Sequence, residues 1–385
     1  MSTIPTIVSI TCLILTVAYV GPLIWAGIGF RKLFESTLDM PDGPTNEFVS
    51  VVIAARNEES NIEACLSSIC KSDYPSEFFE IIIVDDDSTD ETVTVVRRFA
   101  QEFKGEISIR VYSSPDPPST GQKKAALGYG IGRASGNILL LTDADCHVSR
   151  TWMSSMISSF RTDTGLVAGP VQFDYDASAW SRGLALEFMG LTALAAGSFG
   201  QGRPYSCSGA SIGFRRDAYE EVGGYGGLEH LSSGDDEMLM HRIARTANWQ
   251  VAYCRVPSAV VNTRPPLSLR GLLQQRRRWA SKSIHYEHWS LRAGVVGGLL
   301  FMSAIIALFT AGFYNSLYWI ILSLMISLKM IAEMKLLFPS ARVFGRRELL
   351  RYHILVQPFH VLYVVWAGLA GLFGGFEWKG RKLVR

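Results

Sequence analysis

The chain has 385 residues, enough for one large domain or two ordinary ones. Only 19% of its residues are charged, and residues 1–30, 293–328 and 352–376 contain no Asp, Glu, Lys or Arg, which leaves the remainder at about 24%, an ordinary soluble value. That distribution excludes a disordered, collagen-like or disulfide-rich secreted protein, and equally a plain soluble enzyme; it describes a soluble domain held between membrane segments.

In chain order, Ile4 to Phe30 is long enough to cross a hydrocarbon core, which needs about 20 apolar residues. No positive charge precedes this run, and Arg31 and Lys32 come directly after it, the reverse of a cleaved signal peptide. Residues 1–32 are therefore expected to be a retained anchor, with the positive-inside rule placing the chain after the apolar run in the cytoplasm. Six scattered cysteines with no CxxC pair agree with a reducing compartment.

A soluble domain is expected over 46–265. Phe48 to Ala54 is a short β-branched run that reads as a buried strand, and Glu58 to Cys70 has helical periodicity. Phe79 to Val84 is a second buried strand, ending abruptly at Asp85-Asp86-Asp87. A helix over about 90–103 comes next, then a weaker strand at Ile107 to Tyr112 and a Pro/Ser-rich loop to Gly121. A helix over 123–134 and a strand from Asn137 to Leu141 lead into Asp143-Ala144-Asp145. Alternating strands and helices predict a mostly parallel α/β sheet with ligands at the carboxyl ends of its strands, where both acidic clusters fall.

Three adjacent carboxylates repel one another, so stability alone does not select Asp85–Asp87. At a strand end they can accept hydrogen bonds from a base or ribose or hold a cation; a solvated turn capped by Ser88 or Asp90 is the other reading. Asp143 and Asp145, one residue apart, point the same way and suit Mg²⁺ or Mn²⁺ bridging a diphosphate. Asp235-Asp236-Glu237 stands at the start of a predicted helix, as a general base or as a cap. Gln275-Arg276-Arg277-Arg278-Trp279 combines guanidiniums that neutralise a diphosphate with an indole that stacks on a sugar; a basic helix lying on anionic lipid is the alternative.

Taken in order, these elements resemble family 2 glycosyltransferases of the membrane-integrated type, which include cellulose, hyaluronan and poly-N-acetylglucosamine synthases and ceramide glucosyltransferase. The pattern is carried by Val84-Asp85-Asp86-Asp87-Ser88-Thr89-Asp90, Asp143-Ala144-Asp145, Asp235-Asp236 and Gln275-Arg276-Arg277-Arg278-Trp279. Ala55-Arg56-Asn57-Glu58-Glu59, Lys124-Ala125-Ala126-Leu127, Cys207-Ser208-Gly209-Ala210 and Phe214-Arg215-Arg216 extend it. Two departures stand out: Asp87 replaces a frequent Gly, and Asp235 takes the usual Glu place. The resemblance implies a GT-A, Rossmann-like sheet and inverting transfer from a nucleotide diphospho-sugar, expected to be UDP-linked. By the same resemblance Asp86 with Asp85 holds the nucleoside, assisted by Asn57 and Glu58, and Lys124 and Gly209 belong to the substrate site. Asp145 with Asp143 holds Mg²⁺ or Mn²⁺, and Asp143 also touches the donor. Asp236 is the base, with Asp235 beside it. Gln275, Arg276 and Arg278 meet the diphosphate and Trp279 the acceptor.

From 264 to 292 there are seven basic residues and one acidic one, which with Leu269, Leu272 and Leu273 reads as an amphipathic helix on the cytoplasmic leaflet (266–292). Residues 293–376 then supply two or three spans, turning near Tyr314-Asn315-Ser316, and 377–385 form a basic tail. One N-terminal and three C-terminal spans leave that tail outside, against the positive-inside rule, so one segment is expected to be re-entrant or interfacial unless the tail is an exception; 317–337 is the weakest. The narrow bundle favours a lipid acceptor over a secreted polymer. A processive exopolysaccharide synthase is the other enzymatic reading, and a non-catalytic membrane scaffold the reading from a different class. No nucleic-acid partner is expected.

Overall fold

The computed structural model describes residues 3–35, 46–115, 123–227, 234–281, 289–372, 376–378 and 381–383. Residues 116–121 of the Pro/Ser-rich loop, 282–288 of the 266–292 segment and 379–380 and 384–385 of the basic tail lie outside these residues. The chain opens with α1 (Thr3–Glu35) and then enters an α/β domain. Its first half runs β1 (Val49–Ala55), α2 (Ile62–Cys70), β2 (Phe79–Asp85), α3 (Thr92–Glu102), β3 (Ser108–Ser113), α4 (Lys123–Arg133) and β4 (Ile138–Leu141). Next come β5 (Cys146–Val148), α5 (Trp152–Ser158), β6 (Thr164–Ala168), β7 (Val171–Phe173) and α6 (Ala179–Gly200). The domain closes with β8 (Ile212–Arg215), α7 (Arg216–Glu221), α8 (Asp235–Ala244), β9 (Gln250–Tyr253) and β10 (Val261–Thr263). The remainder is α9 (Leu269–Ser281), α10 (Trp289–Ala311), α11 (Ser316–Val343), α12 (His353–Leu372), β11 (Phe376–Trp378) and β12 (Arg381–Leu383).

Seven strands form one sheet in the order β3-β2-β1-β4-β8-β6-β9, with β3, β2, β1 and β4 parallel and β8 antiparallel to both its neighbours. Alternation along the strands builds a core on each face. Val51, Ile53, Ile81 and Ile83 pack with Cys65, Leu66 and Ile69 of α2, whereas Val52, Ile82 and Val84 pack with Ala126, Leu127 and Ile131 of α4. The chain order reverses between β1 and β4, the switch point where a ligand crevice opens at the strand ends. α2 begins later than periodicity predicted, because Arg56 to Asn61 form a turn across the crevice before the helix starts.

Among the described residues, four helical stretches are long and apolar enough to cross a membrane: Ile4–Glu35, Ala179–Gly200, Trp289–Ala311 and Arg347–Gly371. The second was not anticipated from sequence, although it carries only Arg182 and Glu187 as charges. It begins and ends in the α/β domain and lies on β7, where Thr192 Oγ1 donates to the Val171 carbonyl (2.7 Å) and Phe188 stacks on Phe173. α10 and α11 form a hairpin around Asn315, with Trp319 packed edge-on against Phe309 and Phe313. Tyr19 of α1 stacks on Phe301 of α10, joining three helices in one bundle.

Candidate active site

β1 and β2 pair from Val49↔Phe79 to Ala55↔Asp85, so their ends deliver the Arg56–Glu58 turn and the Asp85–Asp87 turn side by side. The Arg56 guanidinium, 8% exposed, donates to the Asp86 and Asp87 carbonyls at 2.5 and 2.6 Å. Asp87 sits at φ 60°, a left-handed conformation that Asp tolerates better than most L residues, which accounts physically for both the usual Gly and its replacement here. Asn57 is also left-handed (φ 52°), and its Oδ1 accepts from the Thr89 amide at 2.8 Å. The Glu58 amide donates to Thr92 Oγ1 at 2.7 Å. These bonds lock the two loops beside Asp85 and Asp86, which are 7% and 2% exposed. Asp90 does serve the next helix, accepting from the Thr92 amide at 3.0 Å.

β4 ends at Leu141, and the turn after it carries Asp143 and Asp145. One ligand atom each of Asp143, Asp145 and Cys146 lies within 4.8 Å of the others. Burial, and then Asp143 and Asp145, push the Cys146 thiol up, which disfavours a thiolate 3.7 Å from Asp145 Oδ1. The donors available to a cation are thus two carboxylates, a hard-oxygen set that fits Mg²⁺ or Mn²⁺. Lys123, at the start of α4, pairs with Asp143. Burial pulls its ammonium down, but Asp143, Asp236 and Asp235 outweigh that and hold it above its ordinary value.

Asp235 and Asp236 occupy the first turn of α8, whose amino end favours negative charge. The Gly209 amide donates to Asp236 Oδ2 at 2.8 Å, and a Cβ on residue 209 would stand 2.5 Å from both carboxylate oxygens. Tyr225 is 7% exposed; burial first, and Asp236 and Asp235 after it, push its phenol up, keeping it a neutral donor near the base. α9 completes the site. Burial lowers the Arg278 guanidinium against the opposing pull of Asp143, Asp235, Asp236 and Asp145, so Arg278 joins Lys123 as a second cation among these carboxylates.

Lys124 is buried in α4 (6% exposed), next to Lys123, which pairs with Asp143. Arg276 and Trp279 of the basic motif face the helices instead of this cluster. Arg276 pairs with Glu187 of α6 at 2.9 Å, donates to Gln275 Oε1 at 3.0 Å, and lies 4.3 Å over the Trp279 ring. Trp279 packs near Phe188. α9 therefore presents Arg278 to the carboxylates and Arg276 with Trp279 to the helices below. Lys123 escaped the sequence reading because it adjoins the lysine that fits the motif; Tyr225 lies in the glycine-rich loop Gly223–Gly227.

Comparison with known proteins agrees with this architecture. The glycosyltransferase AglE of Haloferax volcanii is 32% identical over 132 residues, 34% of this chain and 41% of that protein. The β-monoglucosyldiacylglycerol synthase of a Nostoc species is 26% identical over 256 residues, 63% of this chain and 51% of that one. The chain spans about half the length of these curated relatives. Among solved structures, the mannosyltransferase PcManGT from Pyrobaculum calidifontis, in complex with GDP-Man and Mn²⁺, superposes with a TM-score of 0.60 over 92% of this chain and 99% of that one at 19% identity, which establishes a GT-A fold. The family model for glycosyl transferase family 21 matches residues 16–384, and the chain belongs to that family.

Proposed function

We propose that this membrane protein transfers a sugar from a nucleotide diphospho-sugar to a hydroxyl of a lipid or glycan acceptor, with inversion, at the cytoplasmic membrane face. The observation that carries the reading is the convergence of Asp236 with Asp143, Asp145, Lys123 and Arg278 at the sheet's switch point. The acceptor oxygen attacks the anomeric carbon from the face opposite the leaving group, its proton passing to the Asp236 carboxylate as the bond to the diphosphate breaks. Lys123 and Arg278 compensate the charge that builds on the departing diphosphate. Asp143 and Asp145 are the residues that would hold Mg²⁺ or Mn²⁺, which when bound neutralises that same diphosphate. Asp85, Asp86 and the Asn57–Glu58 turn form the nucleoside end, and uridine is the nucleoside we assign to it from the motif resemblance. A single displacement needs no covalent enzyme intermediate, so no side-chain nucleophile is required.

The test is transfer of label from a panel of UDP- and GDP-sugars by the purified protein, together with Asp236→Asn. The variant is expected to bind the donor as the parent does while losing about 10²–10⁴-fold in turnover, the usual size of a general base contribution. Turnover retained in the variant refutes the assignment of the base.

A further inference from the structure

Three side chains of α8 reach the segment that follows α6, in which residues 203–208 are neither helix, strand nor turn. Asp236 accepts from the Gly209 amide, as described above. The next residue, Glu237, accepts from Ser206 Oγ at 2.5 Å. One turn farther along α8, His241 Nε2 lies 3.2 Å from the Tyr205 carbonyl. Glu237 and His241 stand four residues apart and so share one stripe of the helix, whereas Asp236 projects from the neighbouring stripe. Tyr205 and Ser206 thus meet one stripe of α8, and Gly209 meets the next.

Glu237 is 1% exposed, and the chemistry above gives it no task. Removing a carboxylate from water is costly unless hydrogen bonds and favourable charge offset the loss. The first turn of α8 supplies part of that offset, because a helix amino end favours an anion. A glutamate serving only as a charge at the helix end would do so from the solvent side, without the cost of burial. Here the side chain turns inward onto a hydroxyl, and a hydrogen bond to a carboxylate is about twice as strong as one between neutral groups. The segment is also tied at its two ends. Upstream, the Tyr205 amide donates to Ser198 Oγ of α6 at 3.2 Å; downstream, the Ser211 amide donates to the Ser208 carbonyl at 3.0 Å, closing the turn at Gly209. The Glu237–Ser206 bond falls between these ties.

We infer that Glu237 is a positioning residue: by holding Ser206 it sets the distance between the Tyr205–Gly209 segment and α8 at which the Gly209 amide meets the Asp236 carboxylate. The inference rests on the reading of Asp236 as the base and adds to it what orients that base. With Ser206 released, the segment keeps its His241 contact at Tyr205 but loses the α8 side chain that holds it nearer to Gly209. Asp236 then turns away from the line along which the acceptor hydroxyl attacks, and a displacement of about 1 Å costs on the order of 10²-fold in rate. Donor binding, which falls to the nucleoside turns, Lys123 and Arg278, is left as it was.

The full chain, in nanodiscs cut from the membranes that hold it, is assayed with the UDP- or GDP-sugar of the panel above that the parent transfers. Glu237→Ala is expected to lower kcat about 10²-fold, with the donor KM within about twofold of the parent. Glu237→Gln keeps an oxygen for the Ser206 hydroxyl and is expected within a few-fold of the parent. In an Asp236→Asn background, Glu237→Ala is expected to cost less than about threefold more, because residues that act as one unit are not additive. Ser206→Ala cuts the same bond and leaves α8 intact, so the loss in kcat is read there if Glu237→Ala does not fold. An unchanged kcat in Ser206→Ala, a Gln variant as poor as the Ala variant, or a further loss of about 10²-fold on top of Asp236→Asn overturns the inference and leaves glycosyl transfer standing. No transfer by the parent from any sugar of the panel overturns the underlying reading.

Discussion

The position of Asp236 depends on the absence of a side chain opposite it. At Gly209 an added Cβ meets both carboxylate oxygens at 2.5 Å, so Gly209→Ala has to push the base away from the cleft. A displacement of about 1 Å costs on the order of 10²-fold in rate. Gly209→Ala is therefore expected to lose about that much in kcat while the donor dissociation constant holds, as nucleotide-sugar titration alongside single-turnover kinetics will check. The two adjacent lysines differ in burial. Lys123→Met removes a charged partner of Asp143 whose side chain is 28% exposed, and is expected to weaken donor binding by about tenfold at an unchanged melting temperature. Lys124→Met, at a 6% exposed site in α4, is expected to cost stability as well. The carboxylates of this site were legible because adjacent like charges need a reason to be together. Lys123 was not, since only the rotation of α4 distinguishes it from Lys124. Asp87 was legible as an exception and became intelligible only with its φ of 60°.

Among elements, α6 and α9 decide whether the basic motif meets the site. The Arg276–Glu187 pair, 6% and 10% exposed at the side chains, ties the face of α9 opposite Arg278 to α6, and Tyr363 of α12 donates to the same carboxylate. Glu187→Ala leaves a buried guanidinium without its charge partner, a change that costs about 3–5 kcal/mol. A fall in melting temperature of that order is expected, and Glu187→Leu combined with Arg276→Leu is expected to recover most of it, since an apolar pair of similar volume replaces the ions. A thermal denaturation series on the three proteins measures both effects. α6 also meets α1 backbone to backbone: a Cβ on Gly197 would lie 2.1 Å from the Ala26 carbonyl oxygen. The strands and helices from β1 to β4 could be read from period and turn chemistry because each buries one regular face. α6 could not, because the sheet covers one side and apolar helices the other, so its sequence shows no amphipathic stripe.

At the scale of the whole molecule, the open question from sequence was one of parity, and the packing of α12 bears on it. α12 comes after a short helical turn, Arg347–Tyr352, in which Tyr352 accepts from Arg182 of α6 at 2.9 Å. Farther along, Phe359 packs edge-on to Trp180, at the start of α6. At its other end, Arg277 Nε of α9 donates to the Ala370 carbonyl at 3.1 Å, and a Cβ on Gly371 would touch Ala280. Both ends of this 20-residue helix thus abut elements that carry the α/β domain, although its composition alone would let it cross. α11 is the stretch expected to be the weakest span, and it is not among the four apolar enough to cross; its Lys329 and Glu333 pair with each other inside the bundle, and it returns antiparallel along α10 from the turn at Asn315. If α1, α10 and α11 are the crossing helices and α12 lies along α9, the basic residues after Phe376 fall on the same side as the α/β domain, as the positive-inside rule asks. Single cysteines at Asn315, Arg347 and Phe376, in a background lacking the six native ones, test it in sealed vesicles. An impermeant thiol reagent is expected to reach Arg347→Cys and Phe376→Cys from the face that binds nucleotide sugar and Asn315→Cys only from the other. Labelling of Phe376→Cys together with Asn315→Cys would make α12 a fourth crossing and send the basic charge to the wrong side of the membrane.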